Sequence, residues 1–422
     1  MLRHFVRSLR EVTHRDAPTM LTGIYVHVPF CLQRCTYCDF NTYTGLLSLK
    51  EAYVDALLRE MALRAERAAG VRARTLYFGG GTPSLLALDD IVALVQAVRQ
   101  QFDLPWDAEV TLEANPGTVN EAYLGQARIA GVNRLSLGVQ SSHSQELVLL
   151  GRIHTWSDTE AAYRMARAAG FERVNFDLMY GLPGQCLREW LVTVRRCLEL
   201  GPDHLSLYAL ALEPGTPLAE TLALNEVPLP DPDLAADMYE AASEQLHAAG
   251  FWQYEISNWA RGTTAPPSIW ALPPEGLTEQ IGPQISQHNL IYWRNEPWIG
   301  LGAGAHSWFR GRRWRNLPHP ESYINAIISN RLRGFSAEAL SQRLIWGETL
   351  MMGLRLAEGV TNGRFSATFD MHLRDLYGDV IDTFHRLGLL IWEDGRVRLT
   401  PRGRLLGNQV FEAFLPEGDE FD

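Results

Sequence analysis

Three cysteines within eight residues, Cys31, Cys35 and Cys38, form a C-x3-C-x2-C cluster on what reads as a short loop after a strand. Three thiolates can hold three irons of a [4Fe–4S] cubane and leave the fourth open, whereas a structural zinc site closes with four ligands. A fourth ligand from His27 or Asp39, or from the distant Cys186 or Cys197, would make zinc the alternative. Further along the chain, polar groups stand where buried strands should carry none: Gly79-Gly80-Gly81-Thr82, Glu113, Gln140, Asp177 and the segment from Tyr208 to Ala211. Consecutive glycines let backbone approach a ligand closely, and carboxylates and amides can hold its polar ends. Each has a plainer reading as a turn or a helix cap; as a set at strand ends they point to one site.

Repeated elements must position these groups. Alternation from Gly23 puts Ile24, Val26 and Val28 on one face and Tyr25 and His27 on the other, as in a strand. Ser48…Glu51 reads as a capping box ahead of a helical stripe of Tyr53, Val54, Leu57, Leu58 and Met61. Strand-like runs recur near Thr75–Phe78, Glu109–Leu112, Arg134–Leu137, Arg173–Phe176 and His204–Tyr208. Helical stretches separate them, two with capping boxes at Thr118…Glu121 and Ser157…Glu160. Six βα units predict a parallel sheet, and polar groups at the end of every strand converge only if that sheet curls into a full or partial barrel.

Composition narrows the function classes. The chain has 422 residues, net charge −11, and Lys50 as its sole lysine, so a phosphate backbone is a poor partner. Five cysteines, three of them clustered, are not a secreted disulfide framework. That cysteine usage suggests a reducing compartment and predicts a cytoplasmic protein; no apolar run is long enough to span a bilayer, and at most peripheral membrane contact is expected. The Arg-containing first twenty residues leave organellar import as the lesser alternative.

Seven of the twelve tryptophans lie between residues 251 and 315: Trp252, Trp259, Trp270, Trp293, Trp298, Trp308 and Trp314. A loop with Pro266, Pro267, Pro273, Pro274 and Pro283 interrupts them, with short strands expected near Trp252–Ile256 and Leu290–Trp293. Beyond Phe335, helices precede two strands joined across Asp394-Gly395, a hairpin signal that reads as a winged-helix-like unit. Fourteen acids against nine arginines from Ser336 onward argue that this unit packs on the barrel or a partner, not on DNA. The expected organisation is a tail (1–20), a barrel (21–250), an aromatic-rich barrel extension (251–335) and a C-terminal winged-helix-like domain (336–422).

Gly23-Ile-Tyr-Val-His-Val-Pro-Phe-Cys31, Phe78-Gly-Gly-Gly-Thr-Pro83, Asn133-Arg-Leu-Ser-Leu-Gly-Val-Gln140 and Asn175-Phe-Asp-Leu-Met-Tyr-Gly-Leu-Pro183 resemble signatures of the radical S-adenosylmethionine superfamily, in its oxygen-independent coproporphyrinogen oxidase-like branch. The resemblance runs from about residue 22 to beyond 410 and implies α/β architecture, with a partial (β/α)6 TIM-like barrel. It also implies a [4Fe–4S] cluster on Cys31, Cys35 and Cys38 whose open iron binds S-adenosylmethionine. Tyr25, Gly80, Gly81, Thr82, Glu113, Gln140, Arg152, Asp177 and Ala211 would then surround that cofactor.

Two features sort the branch. The decarboxylating oxidases carry a fourth cysteine where this chain reads Cys38-Asp39-Phe40. The segment His288-Asn289-Leu290-Ile291-Tyr292-Trp293 resembles the H-N-x-x-Y-W signature of the branch's heme-chaperone family, and Gly302 to Ser307 fits it too. The resemblance implies heme held near His288, Asn289, Tyr292 and Trp293, acceptor haem proteins such as respiratory enzymes, an electron donor, and no coproporphyrinogen oxidase activity. The rival expectation is oxidative decarboxylation of coproporphyrinogen III. Two departures stand out: the 261–287 stretch is longer and richer in proline than the family's, and Gly138 to Ser142 reads Gly-Val-Gln-Ser-Ser where the family has Phe last.

Overall fold

The computed structural model describes residues 20–68, 70–224, 231–262, 277, 281–331 and 335–416. The tail expected over 1–20 lies outside them except for Met20, as do Trp270, Pro266, Pro267, Pro273 and Pro274 of the proline-rich loop.

Strands and helices alternate as the sequence pattern requires: β1 (Met20–Val28), α1 (Lys50–Arg67), β2 (Val71–Gly80), α2 (Leu88–Gln101), β3 (Glu109–Ala114), α3 (Glu121–Ala130), β4 (Arg134–Gln140). Two helices, α4 (Ser144–Leu149) and α5 (Trp156–Ala168), precede β5 (Val174–Tyr180). Then come α6 (Leu187–Leu200), β6 (His204–Ala209), α7 (Pro217–Ala223) and α8 (Pro232–Ala248). Strands β1 to β6 pair in parallel, each with the next. Along β1, Ile24, Val26 and Val28 are fully buried with Tyr53, Leu57 and Met61 of α1 in one core. That leaves Tyr25 and His27 for the opposite, interior face, because successive side chains alternate.

The sheet continues past both ends of this array. On one side β6 pairs antiparallel with β8 (Asn258–Arg261) and then β7 (Phe251–Glu255). On the other, β1 pairs in parallel with β9 (Trp298–Leu301), followed by β10 (His306–Phe309), β11 (Arg312–Arg315) and β12 (Phe335–Ala339), all antiparallel. The twelve-stranded order is β12-β11-β10-β9-β1-β2-β3-β4-β5-β6-β8-β7, with no pairing between the two edges among the described residues. One cavity touches residues from β2 through β6, so the sheet curls around it as a partial barrel.

Two details differ from the sequence expectation. The capping boxes are displaced. Leu49 stands at the N-cap of α1 without a side-chain bond, Asn120 caps α3, and Thr155 with Asp158 forms the box of α5. The run expected as a strand near Leu290–Trp293 is a helix, α9 (Gln287–Trp293). Its apolar, aromatic residues favour a strand locally, but Ser286 accepts from the Asn289 amide. The Glu109 carboxylate accepts from the amides of Gln287 and His288 at 3.1 and 2.9 Å. Those acceptors satisfy the free amides of a helix start and place negative charge at its positive end.

The C-terminal unit has its own core around Leu350, Phe365, Leu373, Ile381, Val397 and Phe411. Ahead of it α10 (Pro320–Ile328) packs Tyr323, Ile324 and Ile327 into the barrel core; the unit itself comprises α11 (Gln342–Gly353), β13 (Val360–Thr361), α12 (Asn362–Phe369) and α13 (Leu373–Arg386). The wing, β14 (Leu390–Glu393) and β15 (Arg396–Leu399), turns at Asp394 and Gly395 with φ of 52° and 72°. Two positive φ angles in a two-residue turn match the twist of the hairpin strands, as the Asp-Gly pair leads one to expect. Ion pairs Arg294–Glu358 (3.0 Å) and Arg313–Glu348 (2.7 Å) tie the unit to the barrel extension.

Candidate functional site

The cysteine loop leaves β1 and is tied down on both flanks. The Cys31 amide donates to Tyr43 O at 3.0 Å, and Thr36 bonds α4 through its amide to Leu150 O (3.1 Å) and its hydroxyl to Leu149 O (2.7 Å). Cys31, Cys35 and Cys38 all line a cavity of about 370 Å3 at the carboxyl ends of the strands. Thr82 Oγ1 donates toward Cys31 Sγ at 3.7 Å, and Arg152 Nη1 toward Cys35 Sγ at 3.4 Å. Burial pushes the Cys31 and Cys38 thiols up, so loading metal must displace their protons.

The residues present fit an iron–sulfur cubane. Among the described residues no three His, Cys, Asp or Glu side chains converge as a single ion would require; the thiols instead share the wall of a larger space. At Gly81 a Cβ would sit 2.7 Å from Phe30 O and 3.0 Å from Cys31 Sγ, so glycine lets the chain leaving β2 pass close behind the loop. Of the extra ligands that zinc would need, His27 is engaged, its Nδ1 and Nε2 bonded to Tyr25 OH (3.0 Å) and Asn41 O (2.9 Å), while Asp39 lines the thiol cavity. Cys197 is buried in the core, and Cys186 is exposed at the start of α6.

Gly80, Gly81, Thr82, Glu113, Gln140, Arg152, Asp177 and Ala211 all line the same cavity as the thiols. Glu113 Oε1 accepts from Tyr77 OH at 2.7 Å, and its Oε2 from the Gly80 amide at 3.2 Å. Burial, reinforced by the Asp177 charge against the relief of the Tyr77 bond, pushes the Glu113 carboxyl up to about 7. Asp177 is also raised by burial, opposed by hydrogen bonds from Ser136 (2.7 Å) and Asn175 (2.9 Å). Arg152 donates from Nη2 to Gly138 O at 2.7 Å and to Asn115 Oδ1, while its buried Nε has no partner among the described residues. Two buried carboxylates facing the cavity favour a cationic ligand there.

Gln140 reaches the cavity by strain. Its φ is +64°, and the β4–β5 register slips between Gly138 and Gln140. A bulge at a strand end re-aims the side chains that follow, and a non-glycine left-handed residue costs about 1–3 kcal/mol.

Tyr25 is placed apart from this group. It lines a second cavity of about 450 Å3 with Phe40, Tyr292, Trp298 and His306, and the two cavities share Phe40, Gly80 and Glu113. Of the H-N-x-x-Y-W residues only Tyr292 lines it. His288 is fully buried, Nδ1 at 2.7 Å from Thr75 Oγ1 and Nε2 at 2.8 Å from Tyr292 OH. Trp293 turns to a different core, under the Arg355 guanidinium at 4.6 Å. The Asn289 amide belongs to the helix cap.

Sequence reasoning missed Tyr77, Asn115 and Ser136, all lining the first cavity. Tyr77 and Ser136 were legible as polar groups in otherwise apolar strands. Asn115 carried no signal beyond lying two residues after Glu113.

Comparison with known proteins agrees with this geometry. Residues 25–197 match the Radical SAM superfamily and residues 340–406 the HemN C-terminal domain. A Mycobacterium tuberculosis protein named heme chaperone HemW is 37% identical over 397 residues, covering 93% of this chain and 94% of that protein. The mouse radical S-adenosyl methionine domain-containing protein 1, mitochondrial, is 35% identical, covering 98% of this chain and 92% of that one. The solved coproporphyrinogen III oxidase of Escherichia coli superposes with a TM-score of 0.78 at 24% identity, over 98% of this chain and 93% of that one, a likeness of fold. With its thiol triplet at the mouth of a curled parallel sheet and homology along nearly its whole length, the chain belongs to the radical SAM superfamily and, within it, to the HemW family.

Proposed function

We propose that this protein is a cytoplasmic heme chaperone: it binds heme and passes it to acceptor haem proteins, such as respiratory enzymes, from a [4Fe–4S] and S-adenosylmethionine scaffold. Cys31, Cys35 and Cys38 would hold the cluster, and Glu113, Gln140, Arg152 and Asp177 the polar groups of S-adenosylmethionine. When bound, that pair supplies a low-potential electron for carbon–sulfur cleavage, with an electron donor as a further partner. The chain's own contribution is to hold the cationic cofactor between two buried carboxylates and to keep water from it.

The observation that carries the heme reading is the aromatic cavity adjoining the cluster cavity. Tyr292 meets Trp298 edge-on, centroids 5.0 Å apart at 89°, and Phe40, 63% exposed, faces both spaces. A flat apolar macrocycle suits such walls. By the resemblance, Phe40 stands where the oxidases carry their fourth cysteine. Among the described residues no helix is long and apolar enough to cross a membrane, and heme delivery would involve at most peripheral membrane contact.

The fold shared with a coproporphyrinogen III oxidase favours the rival activity enough to require a test on the same sample. Protein reconstituted anaerobically with iron and sulfide is titrated with heme, then assayed for protoporphyrinogen formation with S-adenosylmethionine and a reductant. Saturable heme uptake without product is the expected result; product without heme uptake reverses the assignment.

A further inference from the structure

The heme reading leaves open which side chain meets the iron. The strands beyond β1 answer it by register. Tyr25 pairs with Gly300 of β9, Trp298 with Trp308 of β10, and His306 and Trp308 with Arg315 and Arg313 of β11. Residues directly opposite one another share a face. Tyr25, Trp298, His306 and Arg315 therefore lie on one surface, the concave continuation of the barrel wall. Trp298 is fixed there, its Nε1 donating to His306 O at 3.1 Å. Gly300 allows the close approach of β10, since a Cβ there would collide with the His306 carbonyl.

Three histidines stand in or behind this cavity, and two are fully engaged. Both nitrogens of His27 and both of His288 are already hydrogen-bonded. The ring of His306 lines the cavity, is exposed, and makes no hydrogen bond among the described residues. Partial burial, then the Arg315 and Arg313 charges, lower its pKa. Arg313 is paired with Glu348, but Arg315 has no ion-pair partner among the described residues, so its guanidinium is available to a carboxylate.

Building on the heme reading, we propose that heme occupies this cavity with His306 as an axial ligand of its iron and Arg315 as the counter-ion of a propionate. Tyr292 and Trp298 form the apolar wall. His288 is a positioning residue that acts on heme only through Tyr292.

The test is titration of ferric heme into the reconstituted protein, read by Soret absorption and electron paramagnetic resonance. His306→Ala should weaken binding by about tenfold or more and erase the histidine-ligated signature, and added imidazole should restore that signature. Arg315→Gln should weaken binding by no more than about fivefold, as expected for an exposed ion pair. Since His306 is exposed, the alanine variant should retain its cluster iron and melting temperature, and His306→Gln serves as the second variant. An unchanged affinity and spectrum in both His306 variants overturns the proposal while leaving the chaperone reading in place. Failure of the unaltered protein to bind heme removes that reading instead.

Discussion

His288 and Tyr292 face each other one turn apart on α9, and the 2.8 Å contact between imidazole Nε2 and the phenol oxygen uses the last free valence of that ring. Nδ1 already meets Thr75 at the interior of β2, so the histidine of the motif pins the helix to the barrel. Tyr292→Phe would leave a fully buried nitrogen unpaired and should cost about 1–3 kcal/mol of stability, measurable by chemical denaturation. His288→Ala should lower stability further and weaken heme uptake, yet leave the spectrum of whatever heme still binds unaltered. A changed ligand field in His288→Ala would show that the ring swings out to the iron.

Burial also lowers the His288 pKa to about 3. The unfolded chain takes up a proton near 6.5, the folded one only near 3, so the stability this residue confers is complete above pH 6.5 and is lost as pH falls towards 3. His288→Asn should flatten that part of the acid-denaturation profile. An identical slope in the variant and the unaltered protein would assign the acid sensitivity to other groups, such as His204, which burial also holds neutral.

Single alanine replacements of Cys31, Cys35 and Cys38 should each drop the iron content after reconstitution from about four per chain towards zero. Cys186→Ala, at an exposed helix start, should leave it unchanged. Iron and sulfide determination with electron paramagnetic resonance of the reduced protein decides the matter. Full iron retention in a triple-alanine variant would place the cluster elsewhere.

How far the site could be read in advance follows from where its residues lie. The thiols, the glycine triplet and Glu113 sit at the ends of regular βα units, where a polar residue closing an apolar run has one direction to face; Asp177 was expected to close its strand but lies in the middle of β5, which runs on to Tyr180. The helix carrying His288 was hidden because its start is satisfied by Glu109, 179 residues away in sequence, and no local pattern encodes that acceptor. The second cavity was hidden for a related reason. Its walls join Tyr25 of the first strand to Trp298 and His306 of strands that close on it from the far end of the chain. The capping boxes failed because Ser, Thr and Asn recur at 118, 120, 155 and 157, and only the geometry selects Asn120 and Thr155.

Gly81→Ala tests whether the cluster loop needs its close neighbour. The added methyl would press on Phe30 O and Cys31 Sγ, and overpacking of this kind costs about 1–3 kcal/mol. Because the displaced atoms include the Cys31 thiol, a proposed cluster ligand, reconstituted iron should fall in this variant. Gly125→Ala, in open space on α3, should retain it. Equal iron content in the two variants would mean that the loop gives way without moving the sulfur.

Glu113 predicts two pH dependences of opposite sign. Its carboxyl is held at about 7 in the folded protein against 4.5 ordinarily. Between these values the folded state keeps a proton that the unfolded chain has lost, so stability falls as pH rises from 4.5 towards 7 and levels off above it. The shift limits the effect to no more than about 3 kcal/mol, and Glu113→Gln should abolish it. Binding runs the other way. The ionised carboxylate attracts the sulfonium cofactor, so affinity for S-adenosylmethionine should tighten as pH rises through about 7 and become flat, and weaker, in Glu113→Gln. Melting curves across pH and calorimetric titration with S-adenosylmethionine read the two effects separately. If affinity in the unaltered protein is the same at pH 6 and 8 (roughly one unit either side of the carboxyl), Glu113 does not carry the charge that holds the cofactor, and Asp177 becomes the group to change next.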